Sequence, residues 1–148
     1  MNTTPMVPVS IGELMDKWTI LQIKSTKIKD PDKLIHIRAE LNVLGGIAEQ
    51  YQDDIVELLA ELYEINADLW YIEDEIRILE GQDIPIPERI LSNWNEGDFP
   101  EGDDMESCQK FVQYAREVYI TNDKRCAIKR QINEALGSKL IEEKSYKE

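Results

Sequence analysis

Two sets of polar side chains are the best candidates for chemistry in this sequence, because each set interrupts an apolar helical pattern. Their members recur at three- or four-residue steps, the spacing that places side chains on one face of a helix. They are Asn66, Trp70, Glu73 and the adjacent Asp74 in the first set, and Asn122, Arg125, Lys129 and Asn133 in the second. If the two helices pack together, Lys129 or Arg125 would meet Glu73 or Asp74 in a charged pocket. Such a pocket would bind an anionic or sugar-like ligand.

Both sets also have a structural interpretation. Glu73 and Arg77 lie four residues apart, in the order that favours an ion pair along a helix, worth about 0.2 to 0.5 kcal/mol. Polar residues within a helical core can fix the register of packing without binding any ligand. The sequence leaves both interpretations open.

Motifs that would indicate catalysis or a metal site are weak. Residues 61–64 and 80–83 match the ExxE and ExxD patterns with which all-α nucleoside triphosphate pyrophosphohydrolases hold magnesium. On a single helix Glu61 and Glu80 would lie about 28 Å apart, whereas a shared ion needs its ligands within about 2.5 Å of itself. His36 is the only histidine, and the sequence contains no Gly-rich phosphate loop, GxSxG or HExxH motif. We therefore predict no catalytic residue, no metal and no cofactor.

The elements that would position these side chains are helices, and the strongest pattern is a heptad seam from Leu34 to Leu79. Alternate steps of three and four residues meet an apolar or aromatic side chain every time. The seam consists of Leu34, Ile37, Leu41, Leu44, Ala48, Tyr51, Ile55, Leu58, Leu62, Ile65, Leu69, Ile72, Ile76 and Leu79. We predict one long helix along it. A hairpin broken near residues 52–54 is the alternative, because Gly45-Gly46 weakens a helix and Asp53 could cap a new one.

Local signals on either side of the seam complete an all-α architecture. Ser10 and Glu13 form a capping box at the start of a first helix. Asp30 followed by Pro31 starts the next helix, and clustered Pro and Gly residues predict a long acidic connection before the last one. We expect a single domain, residues 1–148, folded as a long-helix antiparallel, coiled-coil-like bundle. The predicted helices cover residues 11–29, 31–80 and 104–136, with the connection at 82–103.

Composition narrows the choice of partners. The formal net charge is -13, which argues against a phosphate-neutralising face and therefore against nucleic-acid binding. No apolar run reaches the roughly 20 residues of a membrane span. The N-terminus lacks the basic and apolar stretches of a signal peptide, so we expect a cytoplasmic protein. A seam longer than one chain can cover favours a homo-oligomer, most simply a dimer, and a protein partner also fits.

Four segments resemble a known family. They are residues 7–14 (VPVSIGEL), 69–74 (LWYIED), 121–125 (TNDKR) and 142–146 (EEKSY). Together they are similar to small all-helical bacterial and phage proteins of unknown function, some of which are encoded beside or fused to glycosyltransferases. The resemblance spans most of the chain and brings no catalytic residue with it. It implies a role near surface-polysaccharide synthesis.

These observations favour a non-enzymatic interaction or accessory protein, linked by the resemblance to glycosyltransferase pathways. The alternative is a small-molecule-binding or metal-dependent all-α enzyme that acts on nucleotides or nucleotide sugars. The two hypotheses differ in whether polar groups converge on a pocket that a ligand can enter.

Overall fold

The computed structural model describes residues 3–81 and 103–145, and all regular structure in these ranges is helical. The helices are α1 (Ile11–Lys27), α2 (Pro31–Ala48), α3 (Val56–Glu80) and α4 (Asp103–Ala135), with a short 3₁₀ helix at Gln52–Asp54. The predicted all-α bundle is therefore confirmed. The predicted connection lies outside the described residues, except for Asp103, which begins α4. Within these ranges no helix is both long enough and apolar enough to cross a membrane.

The first two helices begin where the capping signals predicted. The Ser10 hydroxyl accepts a hydrogen bond from the Glu13 amide at 3.1 Å, and the Asp30 carboxylate accepts one from the Asp32 amide at 2.9 Å. Such bonds satisfy amides that have no partner inside the helix. A short connection then folds α2 back against α1, and Lys17 pairs with Glu40 at 2.6 Å. The two helices pack antiparallel, in agreement with the antiparallel bundle that the sequence predicts.

The single helix predicted over residues 31–80 is wrong. The chain leaves α2 after Ala48, forms the 3₁₀ helix, and passes through Ile55 at φ -136° and ψ 29° before α3 begins. The polar residues of Gln52–Asp54 favour such a local turn, because Asp side chains compete with helical backbone hydrogen bonds. The break falls at residues 52–54, where the sequence left a hairpin open as the alternative to one helix.

The heptad seam nevertheless survives the break. Ala48, Ile55 and Leu62, each seven residues from the next, all enter one hydrophobic core. Every one of the fourteen seam side chains is buried or half-buried. The seam thus predicted correctly which face is buried, although it did not predict a continuous helix.

The chain divides into two compact units whose limits fall inside α3 and α4. The first unit comprises Met1–Ala67 and Asp123–Glu148, and the second comprises Asp68–Asn122. In the second unit, the rings of Tyr71 and Tyr114 meet edge to face, with centroids 6.4 Å apart. The core of the first unit joins all four helices and consists of Met15, Trp18, Ala48, Ile55, Leu62, Ile128 and Ile132.

Candidate functional site

Polar side chains from α1, α3, α4 and the segment after α4 meet inside the first unit. We call this group the Asp16 cluster, after the carboxylate that contacts Asn66, Arg125 and Lys129. It consists of Glu13, Asp16, Thr19, Asn66, Arg125, Lys129, Asn133 and Glu142. Helix packing creates the cluster, because its members come from four distant parts of the sequence.

Asp16 lies on the buried face of α1 with only 3% of its surface exposed. Asn66 donates its amide group to the Asp16 carboxylate at 2.9 Å and to the Thr19 hydroxyl at 3.0 Å. The Thr19 hydroxyl in turn donates to the Asp16 carbonyl oxygen at 2.9 Å. These bonds give the buried amide and hydroxyl groups the partners that burial demands.

Lys129 reaches into the cluster from α4 and is also buried. Its ammonium nitrogen lies 2.6 Å from Glu13 Oε2, 2.9 Å from Glu142 Oε2 and 3.7 Å from Asp16 Oδ2. Burial acts to lower the pKa of Lys129, but the hydrogen bonds to Glu13 and Glu142 and the charge of Asp16 outweigh it and leave the pKa raised. Lys129 is therefore held protonated, which suits an ion pair and not a nucleophile or a general base.

Arg125 approaches the same carboxylate less closely. Its Nε lies 3.7 Å from Asp16 Oδ1 and is a buried donor without a hydrogen-bond partner among residues 3–81 and 103–145. Asp16 thus faces two cations at the same separation while accepting a short bond from Asn66. Asn66 and Arg125 approach the same oxygen, Oδ1, whereas Lys129 faces Oδ2.

Asn133 and the residues after α4 cap the start of α1. The Gly12 amide donates to Asn133 Oδ1 at 2.7 Å, and the Ile11 amide donates to the Ser138 hydroxyl at 3.2 Å. The helices approach so closely here that a Cβ at Gly12 would collide with the Lys129 carbonyl oxygen. The α1 amides that could have bound an anion are instead satisfied within the protein.

The structure brings together half of the site residues predicted from the sequence. Asn66, Arg125, Lys129 and Asn133 all belong to the Asp16 cluster. The other four belong to the second unit. Of these, Trp70 and Asn122 are half-buried, while Glu73 and Asp74 are exposed.

The acidic partners predicted for Lys129 and Arg125 are wrong. Among the described residues, the carboxylates within 4 Å of these cations belong to α1 and to Glu142 rather than to Glu73 or Asp74. Glu73 instead pairs with Arg77 at 3.3 Å, as the structural interpretation predicted. The physical reason is that α1 and the C-terminal segment supply the carboxylates at the Lys129 end of α4.

Sequence reasoning missed the contribution of α1. Asp16 and Thr19 lie four and seven residues after Gly12, among the apolar residues of the buried α1 face. A carboxylate at such a position needs a buried partner, and this was the available signal. Glu142 gave no comparable signal, because it lies in a polar segment without periodicity.

Two concavities adjoin the described part of the first unit. One, of about 160 Å³, lies beside the cluster and is lined by Lys129, Arg130, Glu142 and Lys144 among others. The other, of about 430 Å³, is an open groove lined by residues of α1, the 3₁₀ helix and the start of α3, including Val56. No group of three His, Cys, Asp or Glu side chains in residues 3–81 and 103–145 is placed to hold a metal ion.

Comparison with protein-family models, with curated proteins and with solved structures finds no match to this chain. The family resemblance described above therefore remains a prediction. What the chain does must be inferred from its own surfaces and contacts.

Proposed function

We propose that this protein is a non-enzymatic helical interaction module that acts through the outer face of α2. The observation that carries the proposal is a row of exposed apolar residues, which we call the α2 stripe. Ile35 and Val43 expose 64% and 65% of their surface. The stripe consists of Ile35, Ala39, Val43 and Ile47, each four residues from the next.

The stripe differs from the scattered apolar residues that any protein surface carries. It runs along more than three turns of one helix and faces away from the buried Ile37 and Ala48. A ridge spaced by four residues is the form that packs into the groove of another helix. Gly46 flattens the surface beside it, since a Cβ there would have no atom within 4 Å. A helix of a partner protein would fit this surface.

The Asp16 cluster supports the same proposal by the way its polar groups are used. Lys129, Asn66 and Asn133 each have partners inside the protein, and these bonds join α1 to α3, α4 and the C-terminal segment. A ligand that entered the cluster would have to break them. The cluster is best explained as a polar lock that holds the first unit together behind the α2 stripe.

The resemblance to proteins associated with glycosyltransferases supports an accessory role in that setting. We propose that the module serves a glycosyltransferase pathway.

Photo-crosslinking in the native host tests the proposal. A photoreactive amino acid replaces Val43 in one variant and Val56 in a matched control, whose valine is exposed to a similar 62% but lines the open groove instead. We expect the Val43 variant to crosslink to a discrete protein and the Val56 variant not to do so. A glycosyltransferase in the product whose activity changes on adding the purified protein would support the accessory role. Crosslinking at neither position would contradict the proposal.

A second candidate function is the binding of a small anionic ligand, and the concavity beside Lys129 favours it. Lys129, Arg130 and Lys144 line it, together with the carboxylate of Glu142. A nucleotide sugar that bound Lys129 there would compete with Glu142, which already accepts a hydrogen bond from it. Thermal unfolding with nucleotides, nucleotide sugars and divalent ions tests this candidate, because a ligand that binds only the folded protein raises the melting temperature. A shift that is lost in Arg130→Ala would favour ligand binding over the interaction module.

A further inference from the structure

We infer that the partner on the α2 stripe is a second copy of this chain, with the two α2 helices antiparallel about a two-fold axis at Val43. This inference rests on the proposed function and names the occupant of its surface. It is carried by the charges on one side of the stripe and by the sizes of the residues within it.

Two opposite charges lie on the same side of the stripe. Arg38 and Glu49 are eleven residues apart, so they differ by only about 20° around the helix axis. Both are exposed, and neither has an ion-pair partner within 4 Å in the part of the chain that the structure describes. An unpaired cation and an unpaired anion beside an exposed apolar row form a self-complementary pattern.

A two-fold axis at Val43 brings these charges together. Arg38 of one copy lies about 7.5 Å before the axis, and Glu49 of the other copy about 9 Å on the same side, from a rise of about 1.5 Å per residue. In an antiparallel pair, each lateral face of a helix meets the same face of its partner. The symmetry therefore creates two Arg38–Glu49 pairs between copies.

The apolar residues are complementary in the same register. Val43 meets its own copy at the axis, and Ala39 of one copy lies opposite Ile47 of the other. A small residue thus faces a large one on both sides of the axis, while Gly46 allows the backbones to come close. This alternation of small and large side chains fills a helix–helix contact without voids.

The stripe is also a surface where two copies of an acidic protein can meet with little repulsion. Residues 31–50 carry three acidic residues (Asp32, Glu40, Glu49) and two basic residues (Lys33, Arg38), a net charge of -1, although the whole chain carries -13. A contact through one helix face is smaller than the roughly 800 Å² per partner of a standard interface. We therefore expect a reversible dimer that dissociates on dilution.

Analytical ultracentrifugation of the full chain over a range of concentrations tests the inference. The wild type is expected to dimerise reversibly, and Val43→Glu should weaken the dimer at least about tenfold, because it places two like charges at the axis. Val56→Glu is the matched control and should leave the dimer unchanged. Circular dichroism should show the same helical content in all three proteins, since both valines are exposed.

Charge reversal tests the antiparallel register. Arg38→Glu and Glu49→Arg should each weaken the dimer about three- to tenfold, because each sets like charges against one another twice. The double variant should return to within about twofold of the wild type. The two positions lie too far apart in one chain for the recovery to arise within a single copy.

The outcomes separate this inference from the proposed function. A monomeric wild type at all concentrations, or a dimer unaffected by Val43→Glu, overturns the inference. If such a protein still crosslinks from position 43 to a different protein in the host, the interaction module stands and only the identity of its partner changes. A double charge reversal that remains as weak as the single variants overturns the antiparallel register.

Discussion

Lys129 of α4 donates a hydrogen bond to Glu13 of α1 at 2.6 Å, across 116 residues of sequence. The same ammonium binds Glu142 in the segment after α4 and faces Asp16. One buried cation thereby joins α1 to the segment after α4. Both belong to the first unit, which also carries the α2 stripe. If the Asp16 cluster is a structural lock, its variants should change stability without changing the α2 contact.

Replacing Lys129 with Met should destabilise the protein by about 3 kcal/mol. The buried Asp16 carboxylate would lose a cation, and removing one partner of a buried ion pair leaves an uncompensated charge. Lys124→Met is the matched control on the same helix, because Lys124 is exposed, and it should change the free energy of unfolding by less than about 0.5 kcal/mol. Urea unfolding measures both values. Equal effects of the two substitutions would show that Lys129 does not stabilise the Asp16 cluster.

Replacing Asn66 with Ala should cost about 1 to 3 kcal/mol, because it deprives both Asp16 and Thr19 of a buried hydrogen-bond donor. Asn42→Ala removes the same group from an exposed position of α2 and should be close to neutral. Chemical denaturation compares the two variants. A stable Asn66→Ala protein would mean that water replaces the amide and that the cluster is open to solvent.

Replacing two glycines with alanine should change the stability of the protein in opposite directions. Gly12→Ala should destabilise the protein by about 1 to 3 kcal/mol, because its Cβ would push against the Lys129 carbonyl oxygen and Asn133. Gly46→Ala should stabilise it by about 0.5 to 1 kcal/mol, because its Cβ enters open space and alanine favours a helix. Thermal unfolding of both variants checks this. A Gly12→Ala protein as stable as the wild type would show that α1 and α4 are not packed as described.

Stability should depend on pH through the two ends of the Lys129–Glu142 pair. The hydrogen bond from Lys129 lowers the pKa of Glu142 below its ordinary 4.5, so the contribution of Glu142 is complete above pH 4.5 and is lost as pH falls through its folded-state pKa. The raised pKa of Lys129 means that its contribution is complete below pH 10.5 and is lost as pH rises through the folded-state value.

Unfolding of the wild type and Glu142→Gln over a range of pH measures the acidic half of this effect. The difference in unfolding free energy should be constant near neutral pH and should vanish in acid, where both proteins carry a neutral side chain. A difference that persists unchanged to about pH 2 would mean that Glu142 contributes by its shape and not by its charge.

The sequence was sufficient for the helical class and for the buried faces, because caps and periodicity are local signals. Ser10 and Asp30 mark helix starts whatever the rest of the chain does, and the seam specifies packing at every step. The periodicity hid the break between Ala48 and Val56. Ala48 and Ile55 are seven residues apart, as in a continuous helix, and both still enter the same core on either side of the 3₁₀ helix. Periodicity alone cannot distinguish a continuous helix from an interrupted one that keeps its register.

The site was harder to predict, because it depends on which helices become neighbours. Asn66, Arg125, Lys129 and Asn133 were recognisable as polar interruptions of apolar faces. Their carboxylate partners come instead from α1 and from Glu142 beyond α4. That pairing follows from tertiary packing rather than from the spacing of residues within any one helix.

Thiol labelling measures most directly whether the outer face of α2 is covered in the cell. Val43→Cys and the control Val56→Cys are treated with a membrane-permeant maleimide in host cells and as dilute purified protein, with the wild type giving the background from its own cysteines. Position 43 should react more slowly in cells than in dilute solution, because a partner covers it, while position 56 should react equally in both. Equal reactivity of position 43 in cells and in dilute solution would contradict the proposed interaction.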